Sequence, residues 1–306
     1  MKEIYDVVCL GEILIDYIIK DDGVKEHNPG GAPLNVCAVI SKYGGKSAFI
    51  GKVGSDVFGY SLKRFLDNNN IESKGLVFDN SHGTTLAFVK LSEDGERSFS
   101  FAREDHADIN LEIKDVDRSL IENAKLFHFG SLSMTDEPAR SATLFGLDVA
   151  KENGKLVSFD ANYRDSLWKS KEEFKKITSI LSDVDFLKVS LEDAMILTNE
   201  EKVEKCGEVL IKMVKKIVLI TLGDKGSYYI GKKFKGFIEA YKANTIDTTG
   251  AGDIFFGSFL FEVTHNNLSI ESQDELVKAL KRASKLASLS TEKKGATSSI
   301  PEYEKY

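Results

Sequence analysis

The sequence predicts an α/β fold: a central, mostly parallel sheet flanked by helices, with a small β-sheet lid. Two observations carry that prediction. Short apolar, β-branched runs recur along the chain and alternate with amphipathic stretches of helical period, as repeated βαβ crossovers require. Between Thr84 and Phe101 the rhythm breaks, where TTLAFVKL and RSFSF flank Ser-Glu-Asp-Gly-Glu (92–96), a hairpin turn signal between two strands.

Each element has its own reason. Residues 5–10 (YDVVCL) form an apolar run ending at Gly11, as expected of a strand buried on both faces. Residues 13–19 (ILIDYII) follow at once, and with the 84–101 pair they make the expected lid, whose segments span about 13–35 and 84–103. After Gly30-Gly31, residues 36–43 read as a helix. Further core strands are expected at 125–129 (KLFHF), 156–159 (LVSF), 185–189 (DFLKV) and 217–221 (IVLIT), with helices at 140–151, 200–215 and 254–264. No Pro- or Ser-rich linker and no internal repeat divides the chain, so residues 1–306 are expected to form one domain.

Composition narrows the function. A formal net charge of -7 and a pI near 5.4 weigh against a nucleic-acid footprint, because acidic surfaces are repelled by phosphate backbones, and favour a small-molecule partner. Cys9, Cys37 and Cys206 stand far apart with no CxxC pair, and His27, His82, His106, His128 and His265 lack metal-ligand spacing. The acidic start carries no leader pattern, and the most apolar stretch, 254–263, is about half of the ~20 residues a membrane helix needs. A cytoplasmic protein without a membrane partner is expected. Gly45-Lys46-Ser47 is not a P-loop, because position 40 is Ile, and neither GxGxxG after the first strand nor GxSxG is present.

The chemistry concentrates in Asp247-Thr248-Thr249-Gly250-Ala251-Gly252-Asp253, just ahead of a helix. Gly250, Ala251 and Gly252 leave backbone N–H groups uncovered at the positive helix end, an anion hole for a transferring phosphoryl group. Asp253 at its mouth is placed to accept a hydroxyl proton while the oxygen attacks phosphorus in line. The proton leaves late in a loose transition state, so orientation matters more than basicity. The plainer alternative is an ordinary loop with Asp253 as helix cap. A second segment, Gly30-Gly31-Ala32-Pro33-Leu34-Asn35, permits close backbone approach to a ligand hydroxyl that the Asn35 amide then bonds, or is simply a turn with Asn35 at a helix start.

Together GGAPLNV and DTTGAGDIFFG resemble the two signature regions of the ribokinase-like, phosphofructokinase-B type carbohydrate kinases. GKVGSDVFG (51–59), TLGDKG (221–226) and Lys294-Gly295-Ala296 match as well, so the resemblance covers essentially the whole chain. It implies a ribokinase-like fold and an ATP-dependent sugar kinase with Asp253 as base and Gly250 to Gly252 as anion hole. Asp16, Gly30, Gly31 and Asn35 are the implied sugar ligands, although Asp16 in an alternating strand also reads as a solvent-facing residue.

Asp160-Ala161-Asn162-Tyr163-Arg164 resembles the DxNxR segment of the fructokinase and 2-keto-3-deoxygluconate kinase branch. There Arg164 counters phosphate charge and Asn162 bridges substrate and nucleotide, unless Asp160 and Arg164 form a surface ion pair. GSLS (130–133) with TDEPAR (135–140), and Gly95-Glu96-Arg97-Ser98-Phe99, resemble bacterial fructokinases more closely than ribokinases. This favours fructose over 2-keto-3-deoxygluconate or ribose. The first of these segments also reads as a helix start, with Thr135 or Asp136 as cap and Pro138 in the first turn. Arg103 could reach a substrate hydroxyl, and an acidic sugar would want it or Arg97 as an extra cation.

The resemblance extends to the cofactors. The family's Asn/Ser-x-x-Glu segment, which organises Mg²⁺ through water, appears here as Ser190-Leu191-Glu192-Asp193, so Asp193 or Glu192 serves. Asp247, Thr249, Ser290, Gly295 and Ser299 match a potassium loop. Thr221, Gly223 and Gly226, with Ser190 and the helix bearing Ala283 and Ala287, are the implied nucleotide site. The lid could also pair with a second copy and make a homodimer. Outside catalysis, a sugar-binding regulator could retain the same fold, though the intact Asp253 and anion hole argue against it.

Overall fold

A computed structural model describes residues 5–19, 25–91, 97–103 and 105–303. In chain order its strands are β1 (Tyr5–Leu10), β2 (Leu14–Ile19), β3 (Lys25–Gly30), β4 (Ser47–Gly54), β5 (Ile71–Asp79), β6 (Leu86–Leu91), β7 (Arg97–Ala102), β8 (Ala124–Gly130), β9 (Leu156–Asp160), β10 (Phe186–Ser190), β11 (Ile217–Thr221), β12 (Ser227–Gly231) and β13 (Lys235–Ile238). The main sheet runs β13-β12-β11-β10-β9-β8-β1-β4-β5, parallel from β5 to β11 with an antiparallel β12 and β13 at one edge. The lid is a second sheet, β3-β2-β6-β7.

Burial explains why the main strands read as continuous apolar runs. In β1, Val8 and Leu10 pack with the Ala139–Glu152 helix on one face, while Val7 and Cys9 pack with the Ala32–Lys42 and Ala251–Thr264 helices on the other. The Ala251–Thr264 helix is buried from Ile254 to Thr264, so its sequence is apolar all round. No helix among the described residues is long and apolar enough to cross a membrane.

β1 and β11 fall where the sequence places them. The other core strands and the 140–151 and 200–215 helices agree to within a few residues, and β6 and β7 pair antiparallel as expected. The turn at 92–96, with Gly95 and Glu96, lies outside the described residues. β3 was not expected, because Lys-Glu-His-Asn-Pro-Gly is turn-like; it is tolerated as an edge strand, with Pro29 opposite Ile15. β4, β5, β12 and β13 were also missed, since glycines and polar residues interrupt their runs.

The first helix begins at Ala32 rather than at 36, because Pro33 is tolerated in a first turn whose N–H groups have no helical acceptor. The Ala139–Glu152 helix has Pro138 at its N-cap, and neither Thr135 nor Asp136 caps it. Thr135 instead accepts a hydrogen bond from Arg103. The fold positions a site at the carboxyl ends of the parallel strands, where β1 connects outward to β4 on one side and β8 on the other.

Candidate active site

The Ala251–Thr264 helix presents its N-terminus to the centre of the molecule. Its N-cap is Gly250, at φ 77°, and a Cβ there would lie 2.5 Å from the Ala296 Cβ, so both conformation and space demand glycine. The Ala251 amide donates to the Thr248 carbonyl at 3.2 Å, which removes it from the expected trio. The Gly250 and Gly252 amides have no acceptor among the described residues. Asp253 does not cap this helix; it stands in the first turn and its Oδ2 accepts from Asn35 Nδ2 at 2.7 Å. Its carboxyl is open to the cleft on one side and closely surrounded by protein on the others. Burial raises it from 3.8 to about 6, against the nearby Lys188 ammonium, which lowers it.

Asp253 lines a cavity of about 670 Å³ with Asp16, Gly31, Asn35, Asn162 and Arg164. Strand β2 supplies Asp16, and the Gly31 N-cap, at φ 115°, brings the first helix against the Glu12 carbonyl, where a Cβ would clash. Gly30 is not part of the wall. It leaves room for the Asp16 carboxyl, whose Oδ2 would be 2.6 Å from a Cβ there. Asn162, at φ 34°, turns the chain after β9 and aims the following Arg164 into the cleft. A surface pair between Asp160 and Arg164 is excluded, because Asp160 is buried and bonded to Lys188.

Arg103 departs from expectation. It is buried, with Nε on Asp108 at 2.7 Å, Nη1 on Thr135 Oγ1 at 3.0 Å and Nη2 on the Leu132 carbonyl at 2.8 Å, and it is not part of the cavity wall. Buried and bonded through all three nitrogens, the guanidinium ties the end of β7 to the body.

A second cavity, also about 670 Å³, meets the first at Thr245, Thr248 and Gly252. Thr221, Gly223, Gly226 and Ala287 line it, together with Ala251 and Phe255. Ala283 does not, being packed in the core beneath, and Ser284 and Ala287 present the helix face instead. Ser190 and Asp193 form a reciprocal capping box, with Ser190 N on Asp193 Oδ2 at 2.9 Å and Asp193 N on Ser190 Oγ at 3.0 Å. Asp193 is thus turned inward, whereas Glu192 is exposed on the same first turn. Asp247 links two backbone segments, accepting from Thr249 N and Gly295 N at 2.8 Å each. The Ser290 and Ser299 hydroxyls bond carbonyls of their own turns.

A half-buried carboxylate beside open amides, where two cavities meet, can hold an anion in one cavity against a hydroxyl in the other. Residues 5–303 match the family described as pfkB family carbohydrate kinase. The chain belongs to this family. It is 41% identical over 304 residues to probable fructokinase-4 of Arabidopsis thaliana, covering 96% of this chain and 93% of that one. Among solved structures it is similar to a fructokinase with bound ATP from Xylella fastidiosa (TM-score 0.90, 28% identity, 98% and 97% coverage). It is also similar to a Vibrio cholerae O395 fructokinase bound to fructose, ADP and calcium ion (TM-score 0.89, 31% identity, 96% of each chain). The ribokinase-like fold expected from the sequence is therefore the observed one.

Two side chains that line the first cavity were not singled out from sequence. Lys188 lies in β10 beside Asp160 of β9, and its Nζ bonds both oxygens of that carboxylate at 2.9 and 3.1 Å. Glu12 leaves β1 towards the lid; its Oε1 accepts from Ala32 N at 3.0 Å, and burial raises its carboxyl to about 7. The available signal was the same for both: a charged residue within or just beyond an apolar strand run, near the strand's carboxyl end.

Proposed function

We propose that this kinase is a fructokinase, transferring the γ-phosphoryl group of ATP to fructose and giving fructose 6-phosphate and ADP. The sugar oxygen bonds to the γ-phosphorus, the bond from that phosphorus to the bridging oxygen of ADP breaks, and the hydroxyl proton passes to the Asp253 carboxylate. Asp16, Gly31 and Asn35 hold the sugar, Asn162 spans sugar and phosphate, and Arg164 faces the phosphate charge. Thr221, Gly223 and Gly226 bound the nucleotide site, and the Gly250 and Gly252 amides hold the phosphoryl oxygens.

The observation that carries this reading is the position of Asp253, at the N-terminus of a helix where two cavities meet. Similarity to fructokinases at about two-fifths identity over nearly the whole chain favours fructose over the other sugars. Magnesium would enter with the nucleotide, and exposed Glu192 would suit water-mediated contact with it better than Asp193, whose carboxyl is engaged in the capping box. Potassium would take the carbonyls around Asp247, which already draws Thr249 and Gly295 together. The whole chain acts as one cytoplasmic kinase domain whose lid segments close over the sugar, and a second copy pairs against the lid's open edges.

The test is ADP release from ATP and magnesium with fructose, 2-keto-3-deoxygluconate or ribose, with and without potassium. Turnover highest on fructose is expected, and preference for another sugar would reject the substrate assignment. Sedimentation of the protein at micromolar concentration checks the dimer.

A further inference from the structure

We propose that the Lys188 ammonium is a catalytic residue of this kinase: a cationic member of the anion hole that touches the phosphoryl group in transfer beside Asp253. This rests on the phosphoryl-transfer reading above and adds a residue to it.

Three observations carry the assignment. Lys188 lines the sugar-side cavity together with Asn162, Arg164, Gly252 and Asp253. Its ammonium crowds the open side of Gly252, where a Cβ would lie 3.1 Å from Nζ and 3.5 Å from Cε. The ammonium thus packs directly against Gly252 of the proposed anion hole. Finally, an ammonium has three N–H donors, and Asp160 takes two of them, one on each oxygen. The third has no acceptor among the described residues, in a group that lines the cleft.

The Asp160–Lys188 pair is costly as a purely structural feature. Both side chains are nearly fully buried, Asp160 at 1% and Lys188 at 8% exposed, and an apolar pair of similar volume in such a place is commonly neutral or stabilising. A functional role explains its presence. Asp160, on the neighbouring strand, fixes the ammonium laterally, as a buried partner orients a reactive group, and leaves its remaining donor to the cleft.

The surrounding charges keep Lys188 protonated. Burial opposes the charge, but Asp160, Asp253 and Asp193 more than offset this and hold the ammonium above its usual value. His128 of β8, which packs nearby, is neutral, pushed down to about 3 by burial and by Lys188 itself. Arg164 is the other cation at the site and, with Lys188, favours the ionised form of Asp253. Removing the ammonium therefore has two effects: it withdraws charge stabilisation from the phosphoryl oxygens, and it makes Asp253 harder to ionise.

Steady-state kinetics on fructose from pH 5.5 to 9 with Lys188→Met and with Lys188→Met/Asp160→Asn provide the test. The double variant leaves no unpaired buried charge and reports even where the single one does not fold. Both are expected to lose about 100-fold or more in kcat, the range for one anion-hole donor. The fructose KM should change little, and the acid limb of kcat/KM should move to higher pH in the single variant and by less in the double one, where Asp160, whose charge raises the Asp253 carboxyl, is lost with the lysine. A folded double variant with kcat within about threefold of wild type, or a folded single variant with an unmoved acid limb, would show that Lys188 only pairs with Asp160. Wild-type protein that phosphorylates no sugar would refute the underlying reading, and the proposal with it, before any variant is compared.

Discussion

Replacing Asp253 by Asn removes a charge while keeping its shape, and the site predicts opposite effects on turnover and on stability. The carboxyl is raised from 3.8 to about 6, mainly by burial. At about 1.4 kcal/mol per pH unit, that interval means that holding it ionised costs the fold up to about 3 kcal/mol, an upper bound because the cleft screens it in part. The sign follows from linkage. Below pH 4 the group is protonated in both folded and unfolded chains and costs nothing. Between pH 4 and 6 the unfolded chain loses the proton more readily, so native stability falls; above pH 6 the full cost persists.

Asn should therefore stabilise the protein above pH 6 and leave it unchanged below pH 4. The replacement creates no orphan: Asn35 Nδ2 keeps an oxygen to donate to, its own Oδ1 has no partner among the described residues and can receive the new amide, and Lys188 retains Asp160. Urea unfolding of both proteins from pH 4 to 8 measures the gap, which should widen through pH 6 and then level off. Turnover should drop by about 10² to 10⁴ with sugar affinity kept. A variant less stable than wild type at pH 8 would refute the claim that Asp253 is held ionised against burial.

Further expectations follow from the same geometry. Because Asp253 must be ionised to take the proton, kcat/KM should fall about tenfold per pH unit below about pH 6; initial rates that hold up to pH 4.5 would remove the raised carboxyl. Arg103→Met should lower stability by about 3 kcal/mol or more, because it leaves buried Asp108 unpaired, yet change the fructose KM little in protein that remains folded. Ala287→Trp should fill the second cavity and raise the KM for ATP several-fold, whereas a bulky residue at Ala283 should instead destabilise the core, which thermal melts distinguish.

The sequence carried the site's glycines and acids because their constraints are local. Gly250 needs a positive φ and sits against Ala296, and Asp253 follows it within one helical turn; both requirements leave a mark in seven consecutive residues. The strands were legible where both faces are apolar, as in β1 and β11, and were missed where a pairing partner rather than composition makes the strand. β3 is the clearest case: Lys-Glu-His-Asn-Pro-Gly has no strand propensity, and only the register with β2 extends it. Arg103 was misplaced for a related reason. A strand-end arginine reads as exposed until Asp108, in the loop that follows, and the distant Thr135 and Leu132 carbonyl are brought around it.

The lysine shows why strand chemistry is hard to read. In DFLKVS the period of two assigns Lys188 to one face of β10, but period alone cannot say whether that face meets solvent or the end of a helix. Two distant segments decide it. Strand β9 must bring Asp160 into register opposite Lys188, and the Gly250–Gly252 turn must bring Gly252 against the ammonium. Each of those segments was legible by itself, Asp160 at the head of DxNxR and Gly252 in the anion hole, but neither names its neighbour. A buried cation facing two acids at a helix N-terminus is thus a tertiary feature, assembled from three short sequence features, and it is at this junction that the proposed transfer would bring the reacting oxygen, phosphorus and base together.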